Sequence, residues 1–568
     1  MCILFAKSKF CTTFADAMKR IEIFITLLYI ALLAVGQTTI PKYEMRAVWL
    51  TTIGGIDWPR TSATNTSTMR AQQQELCRTL DKLKQANVNT VILQTRIRAS
   101  VIYPSRIEPW DYILTGTAGR SPGYDPLQFA IDECHKRGMQ LHAWVVTLPV
   151  GKWNSAATKQ IRQRFPNNIR KIGDEGYMNP ERTETAEHIA SICREITDHY
   201  DVDGIHLDYI RYPETWKITI SRDEARRNIT RIVRRIRDEI KASKPWVMFS
   251  CAPIGKFVDL SHYSSRGWNA YTKVCQDAQG WLRDDLMDAL MPMMYFKGDH
   301  FYPFVYDWQQ HTYGRIVAVG LGTYMLAPRE QNWSLETLTR EMYVSRNLGL
   351  GHAHFRSKFL TDNTKGIYDF TVQEFDPYPA LVPPMTWAQS TPPDAPNSLQ
   401  VNGNHLTWTA GRDHSNGSYL TYNVYASASS PVNVNDPRNL IATRIMGTAL
   451  NVQTSTPLHY AVCAVDRYGN ESAPIQDGQS SALAPQPSTI NPPASATLLP
   501  NDGRTLTVPA LPQGLPVEYL VVETMQGVIV AYHNNLPQID ISKLPSGVYV
   551  LKTLNSQGIT YRLGAFSK

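Results

Sequence analysis

Val202-Asp203-Gly204-Ile205-His206-Leu207-Asp208-Tyr209-Ile210-Arg211-Tyr212-Pro213 decides the fold. It starts as an Asp-Gly turn, runs through apolar residues and then presents Asp208, Arg211 and Tyr212 within five positions. A core strand gains nothing from ending in a carboxylate, an arginine and two tyrosines. The mouth of a parallel β/α barrel does, because the C-terminal ends of its strands carry the chemistry. Asp203-Gly204 then belongs at the closed, stability-bearing end, where Asp203 takes a turn role.

Working outward, seven more apolar runs accompany this one: Met45–Thr52, Thr90–Arg96, Met139–Val146, Val247–Ala252, Ala289–Tyr295, Ile316–Gly322 and Gly351–Phe355. Helical patterns at 69–86, 126–137, 182–199, 222–243, 281–288, 304–313 and 335–348 separate them. Eight strands alternating with helices predict an α/β fold, a (β/α)8 TIM barrel over residues 43–388. A doubly wound open sheet is the alternative, but no Gly-rich phosphate turn follows the first run. Long aromatic loops after runs one to three carry Asp57-Trp58-Pro59, Tyr103 to Trp110 and Pro149 to Trp153.

The 568 residues exceed one ordinary domain. Thr391-Pro392-Pro393-Asp394-Ala395-Pro396 reads as a linker, and short alternating strands follow over 392–475. Residues 476–500, rich in Ser, Pro, Ala and Gln, read as a second linker, and 501–568 as a small β-sandwich. Lys19-Arg20 before the apolar run Ile21–Val35, with Ala34-Val35-Gly36 behind it, predicts a signal peptide preceded by an over-called start, together residues 1–37. The run is short for a membrane span, so the expected mature chain is exported and has none.

Hydrophobic content of 43% and charged content of 19% exclude a disordered chain. A net charge of +7, with basic residues scattered or on one amphipathic helix (222–241), argues against a nucleic-acid partner. Eight cysteines show no CxxC or metal spacing and read as buried thiols, and no cofactor or metal is expected.

Further motifs run in order: Glu44 to Thr52, Ile56-Asp57-Trp58-Pro59, Gln94-Thr95-Arg96, Tyr103-Pro104-Ser105, Glu108-Pro109-Trp110, Asp125-Pro126-Leu127, His135 to Gly138, His142-Ala143-Trp144, Asp203 to Tyr209 and Phe355-Arg356-Ser357. Together they resemble the glycosyl hydrolase-like family 10 barrels, a former domain of unknown function. The resemblance spans nearly all of residues 43–388. It implies a TIM barrel acting on glycans, and in one branch cleavage of peptidoglycan strands that have lost their stem peptides. Two positions depart from the family pattern. Ser100 stands where an Asp follows the Q-x-R motif, and Tyr209 where many members carry a second acid. Trp408, Tyr422 to Tyr425 and Tyr460 to Ser472 resemble a fibronectin type III domain, read as a spacer. Ile539 to Lys552 resembles the C-terminal sorting domain of type IX secretion, which implies secretion machinery as a partner and a secreted or cell-surface location.

Glycoside hydrolysis needs two carboxyl groups. Asp208 is the candidate nucleophile or base, kept ionised by Arg211. Runs five to eight end without a Glu, so the second acid must come from a loop. Glu108, in an aromatic setting that would raise its pKa, is the first choice, with Asp57 and Asp299 behind it. For Glu108 and Asp57 a loop-anchoring role is the competing reading. Trp49, Trp58, Trp110, Trp144, Tyr295 and Tyr324 are candidate sugar platforms, each of which is as readily core. Gln94, His142, His206 and Tyr212 complete the expected substrate-binding set. Arg96 and Arg356, taken as inward-facing, would bind a carboxylate or pair with acids at the mouth. The sequence thus predicts a polysaccharide hydrolase, against a non-catalytic glycan-binding barrel or a surface adhesin.

Overall fold

The structure, a computed structural model, describes residues 40–454, 457–477, 499–509, 517, 519–524, 529–534, 536–545, 547–554 and 560–568. The expected signal segment and almost all of the 476–500 linker lie outside them. The chain divides into two compact units, residues 1–483 and 484–568.

In the first unit, eight parallel strands among the described residues close into a barrel. They are β1 (Arg46–Leu50), β2 (Thr90–Arg96), β3 (Gln140–Val146), β4 (Gly204–Asp208), β5 (Met248–Cys251), β6 (Ala289–Leu290), β7 (Ile316–Leu321) and β8 (Gly351–His354). Each pairs with its sequence neighbour, and β8 returns to β1. Helices pack outside: α1 (Thr66–Gln85), α2 (Pro126–Lys136), α3 (Thr183–His199), α4 (Arg222–Ser243), α5 (Ala278–Arg283), α6 (Tyr302–Gln310) and α7 (Leu335–Asn347). Their starts follow local chemistry. Asn65 and Thr68 form a capping box before α1, and Asp125 caps α2 with Pro126 in its first turn.

Alternation along β4 shows how sequence becomes position. Ile205 and Leu207 join the apolar layer between sheet and helices, whereas Gly204, His206 and Asp208 belong to the interior set. Gly204 is obligatory because a Cβ there would lie 2.7 Å from the His142 ring. The loop after β3 is more built than its sequence suggests. It folds into a three-stranded antiparallel sheet (Pro149–Lys152, Ile169–Ile172, Glu175–Met178) with the helix Ala156–Arg164.

The segment expected to be a spacer forms two antiparallel sheets. Ser398–Asn402, His405–Thr409 and Ala449–Asn451 make one; Leu440–Met446, Thr421–Ser427, His459–Val465 and Ile475–Gln476 make the other. Leu406 and Trp408 of the first share a core with Tyr422, Val424, Tyr460 and Val462 of the second. This pair of sheets is not a free spacer, because it is bolted to the closed end of the barrel. Arg444 reaches Asp203, Arg467 and Tyr419 reach Asp201, and Trp387 in the connecting segment donates to Asp288. Gly138 (φ +70°) sits so close to Thr443 that a Cβ would fall 2.3 Å from its carbonyl oxygen. Met385 and Tyr468 cap the barrel's interior apolar cluster. Charge closes the same end, where Glu44 and Asp376 hold Arg46 and Arg346.

The second unit pairs Thr505–Thr507 with Gln538–Asp540. It also forms a four-stranded sheet in the order Ile529–Asn534, Tyr519–Thr524, Val548–Leu554, Thr560–Ser567. Leu506, Leu520, Val522, Ile539, Leu551 and Phe566 form its core. Among the described residues, no helix is long and apolar enough to cross a membrane.

Candidate active site

Asp208 ends β4 at the open face of the barrel, 9% exposed. One carboxyl oxygen accepts from the Tyr209 amide at 2.7 Å and faces Arg211 Nη1 at 3.9 Å. Tyr209 turns through φ +55°, outside the range bulky residues prefer, and so hands the chain from the strand to Arg211. The Arg211 guanidinium lies 4.2 Å from the Tyr209 ring centroid, and its Nη2 donates to Glu214 at 2.8 Å.

These contacts reverse the expectation that Arg211 keeps Asp208 ionised. Burial pushes the Asp208 carboxyl up, and the opposing pull of Arg211 and the Tyr209 amide does not cancel it. At 3.9 Å, with Glu214 holding the other end of the guanidinium, Arg211 is only partly available to Asp208. For Glu214 the balance runs the other way. Burial raises it, but Arg211's charge and hydrogen bond outweigh that and bring it down. The two carboxyls on one arginine therefore have opposite protonation preferences. The guanidinium's terminal nitrogens are about 2.3 Å apart, so the contacts at 3.9 and 2.8 Å put the two contacting oxygens no more than about 9 Å apart, which does not exceed the widest separation glycosidases use.

Buried donors surround Asp208. Arg211 Nε and Nη1 and Trp144 Nε1 have no hydrogen-bond partner. The Trp144 indole N–H is near enough to hold the Asp208 carboxyl down slightly, yet lies outside hydrogen-bond geometry. Tyr295, Tyr324 and Phe355 form an aromatic wall with centroid separations of 5.4 to 5.7 Å, and Asp208's charge raises the Tyr295 phenol after burial and Tyr324 have done so. Tyr295 and Tyr324, both candidate sugar platforms, belong to this wall. Phe355 and Glu214 were missed by the sequence reading, although Glu214 closes the same Arg-Tyr-Pro-Glu run.

Glu108 is not a proton donor. Both its oxygens take a fork from Arg96 (2.8 and 2.7 Å), and His188 on α3 adds a third contact at 2.9 Å. Burial raises this carboxyl, but Arg96 and His188 overcome it and hold it at about 2. Arg96 is spent on the same pair and on the Val146 and Thr147 carbonyls, so it presents nothing to a ligand.

Other expected contacts resolve as structure. Trp58 is 1% exposed and donates to the Gln72 carbonyl, so it is core. Asp57 anchors its loop through Thr51, Arg356 and the Lys358 amide. Arg356 lies past the end of β8, where Ala353 is the interior residue, and pairs with Asp57 rather than facing inward. Gln94 accepts from the Thr52 and Ile53 amides and fixes the β1 loop. Asp299 is exposed in the turn Gly298–His300. Tyr212 is fully buried against Trp216. Trp49 is 2% exposed and gives its N–H to His206 Nε2 at 3.2 Å, leaving His206 Nδ1 to donate to Ser250 at 3.0 Å. Burial holds that neutral tautomer by taking His206 down to about 3. His142 lies deeper, against Gly204, and burial lowers it to about 4. Neither histidine reaches the mouth.

Beside the mouth, the loops after β1, β2 and β3 enclose a pocket of about 310 Å³, lined in part by Ile53, Ile97, Arg98, Trp110, Asp111 and Ala157. Trp110 is thus placed at the open face, but apart from the aromatic wall.

The profile of the family Glycosyl hydrolase-like 10 matches residues 44–222 and 219–312. The chain is 30% identical over 404 residues to Glycosyl hydrolase YngK of Bacillus subtilis (strain 168), covering 64% of this chain and 78% of that protein. It is 33% identical over 287 residues to Glycosyl hydrolase DigH of Escherichia coli (strain K12), covering 44% of this chain and 65% of that one. Among solved structures, the PgaB (BpsB) glycoside hydrolase domain from Bordetella bronchiseptica aligns with a TM-score of 0.39 at 13% identity, over 58% of this chain and 98% of that domain.

Proposed function

Because the chain belongs to the glycosyl hydrolase-like 10 family, we propose that it hydrolyses glycosidic bonds in a polysaccharide, with Asp208 as proton donor and Glu214 as base. One observation carries the assignment. Two carboxyls share Arg211, one pushed toward its acid form and the other toward its ionised form. Pairs driven apart in this way divide acid and base roles. Asp208 donates its proton to the glycosidic oxygen as the C–O bond breaks. Glu214 takes a proton from the water that attacks the anomeric carbon. Tyr295 and Tyr324 offer apolar faces to the ring.

Peptidoglycan strands stripped of stem peptides are the first substrate to test. The sheets over 398–476 serve as a fibronectin type III-like module, supported by their three-plus-four strand arrangement. The signal-like segment and the residues from 501 onward direct the chain to the cell surface through type IX secretion.

The test is digestion of stem-peptide-free peptidoglycan and a panel of polysaccharides, with products read by mass spectrometry. Wild type should release oligosaccharides, and Asp208→Asn should lose at least about 100-fold in rate. Binding without products from wild type would overturn the enzymatic reading in favour of a glycan-binding barrel.

A further inference from the structure

The pocket beside the mouth is built from three loops at the strand ends, the barrel's functional face. Its volume of about 310 Å³ falls in the range of small-ligand sites. Ile53, Ile97, Trp110 and Ala157 give it an apolar lining. Its polar edge is Asp111, 6% exposed, which accepts from Ser100 Oγ at 2.5 Å and from the Ile113 amide at 2.9 Å. Ser100 is delivered there by Ala99, whose φ of +53° is sparsely populated for any residue with a Cβ. Burial pushes the Asp111 carboxyl up despite those two contacts.

Arg98 stands in the pocket lining and pairs with Glu175 at 3.4 Å. The three loops that carry the pocket leave the same end of the barrel as Asp208. Pocket and Asp208 therefore lie on the same face of the barrel, the one that takes a glycan. An aromatic and aliphatic lining with a few polar groups at its edge suits a pyranose ring, which offers C–H faces to the one and hydroxyls to the other.

We infer that this pocket is a second sugar subsite, separate from the point of cleavage, which holds a further ring of the same glycan through Trp110 and Asp111. The inference rests on the glycan-hydrolase reading but has its own test. Binding energy taken from a remote ring assists only substrates long enough to reach it. Two variants of the full chain test this, with melting curves checking the fold: Trp110→Ala removes the ring, and Ala157→Phe fills the pocket from the helix Ala156–Arg164. Both are probed on an array of oligosaccharides one to eight residues long, and in hydrolysis of the array's hits. Each variant should lower kcat/KM for the longest cleaved oligosaccharide about tenfold and leave the shortest cleaved one within about twofold. Equal loss at all lengths, or no loss, would overturn the subsite. If wild type cleaves nothing but both variants lose affinity for the long oligosaccharides alone, the subsite stands and the hydrolytic reading falls. If no oligosaccharide binds, both fall.

Discussion

Arg444→Ala should destabilise the barrel, although the residue sits on the appended sheets. Asp203 is 7% exposed and immediately precedes β4 at the closed end. One oxygen takes the Leu141 amide at 2.9 Å and His135 Nε2 at 2.8 Å; the other faces Arg444. Burial raises this carboxyl, but Arg444 first and then His135 outweigh it and hold it well below the usual range. Breaking a buried pair from one side costs about 3–5 kcal/mol. His135 and the Leu141 amide remain, and the Arg444 side chain is 17% exposed, so the cost falls at or just below the bottom of that range, about 2–3 kcal/mol. The assay is urea unfolding of the full chain followed by tryptophan fluorescence and hydrogen exchange at β3 and β4. Because the Asp203 pKa is depressed on folding, the pair's contribution is present above the unfolded value near 3.9 and fades as pH falls through the lower folded value. The gap between wild type and Arg444→Ala should therefore close in acid. A loss below about 0.5 kcal/mol, or losses that simply add in the double variant with Asp203→Asn, would refute the reasoning.

Glu341 on α7 is fully buried, neither carboxyl oxygen has a hydrogen-bond partner, and burial raises it to about 9. An acid raised on folding costs stability as pH rises above its unfolded value, so Glu341→Met should gain about 3 kcal/mol at pH 7 and little below pH 4, read by chemical denaturation. Glu108→Gln should lower the melting temperature, because it leaves Arg96 buried without its counter-charge, and should move the pH–rate profile no further than the loss of fold explains; a lost basic limb at unchanged stability would restore Glu108 as the acid. In that profile, wild type should show an acid limb from Glu214, below the usual glutamate value, and a basic limb from Asp208, above the usual aspartate value. Glu214→Gln should lower the rate at least about 100-fold and leave a residual activity without the acid limb.

The barrel was legible because its strands are apolar runs with buried faces. The expected run Thr90–Arg96 is β2, and the expected run Gly204–Ile210 contains β4, which ends two residues earlier at Asp208. The placement of Asp208 at the open end followed from the same pattern. What failed was local electrostatics. Tyr103, Pro109 and Trp110 suggested an apolar setting for Glu108, but the charges that decide its state come from Arg96 on β2 and His188 on α3, the latter 80 residues away in the chain. Facing was the second weakness. β8 places Ala353 inward, so Arg356 closes the rim onto Asp57. His206 shares Asp208's interior set, yet Trp49 covers it. Glu214 was overlooked because it belongs to a loop, and only the arginine it shares with Asp208 gives it a role.

Azide rescue tests the pairing of Asp208 with Glu214 most directly. Glu214→Ala should be nearly inactive, regain turnover when azide takes the place of the activated water, and release a glycosyl azide detectable by mass spectrometry. Hydrolysis by Glu214→Ala at the wild-type rate, or a glycosyl azide formed by Asp208→Ala and not by Glu214→Ala, would contradict the assignment.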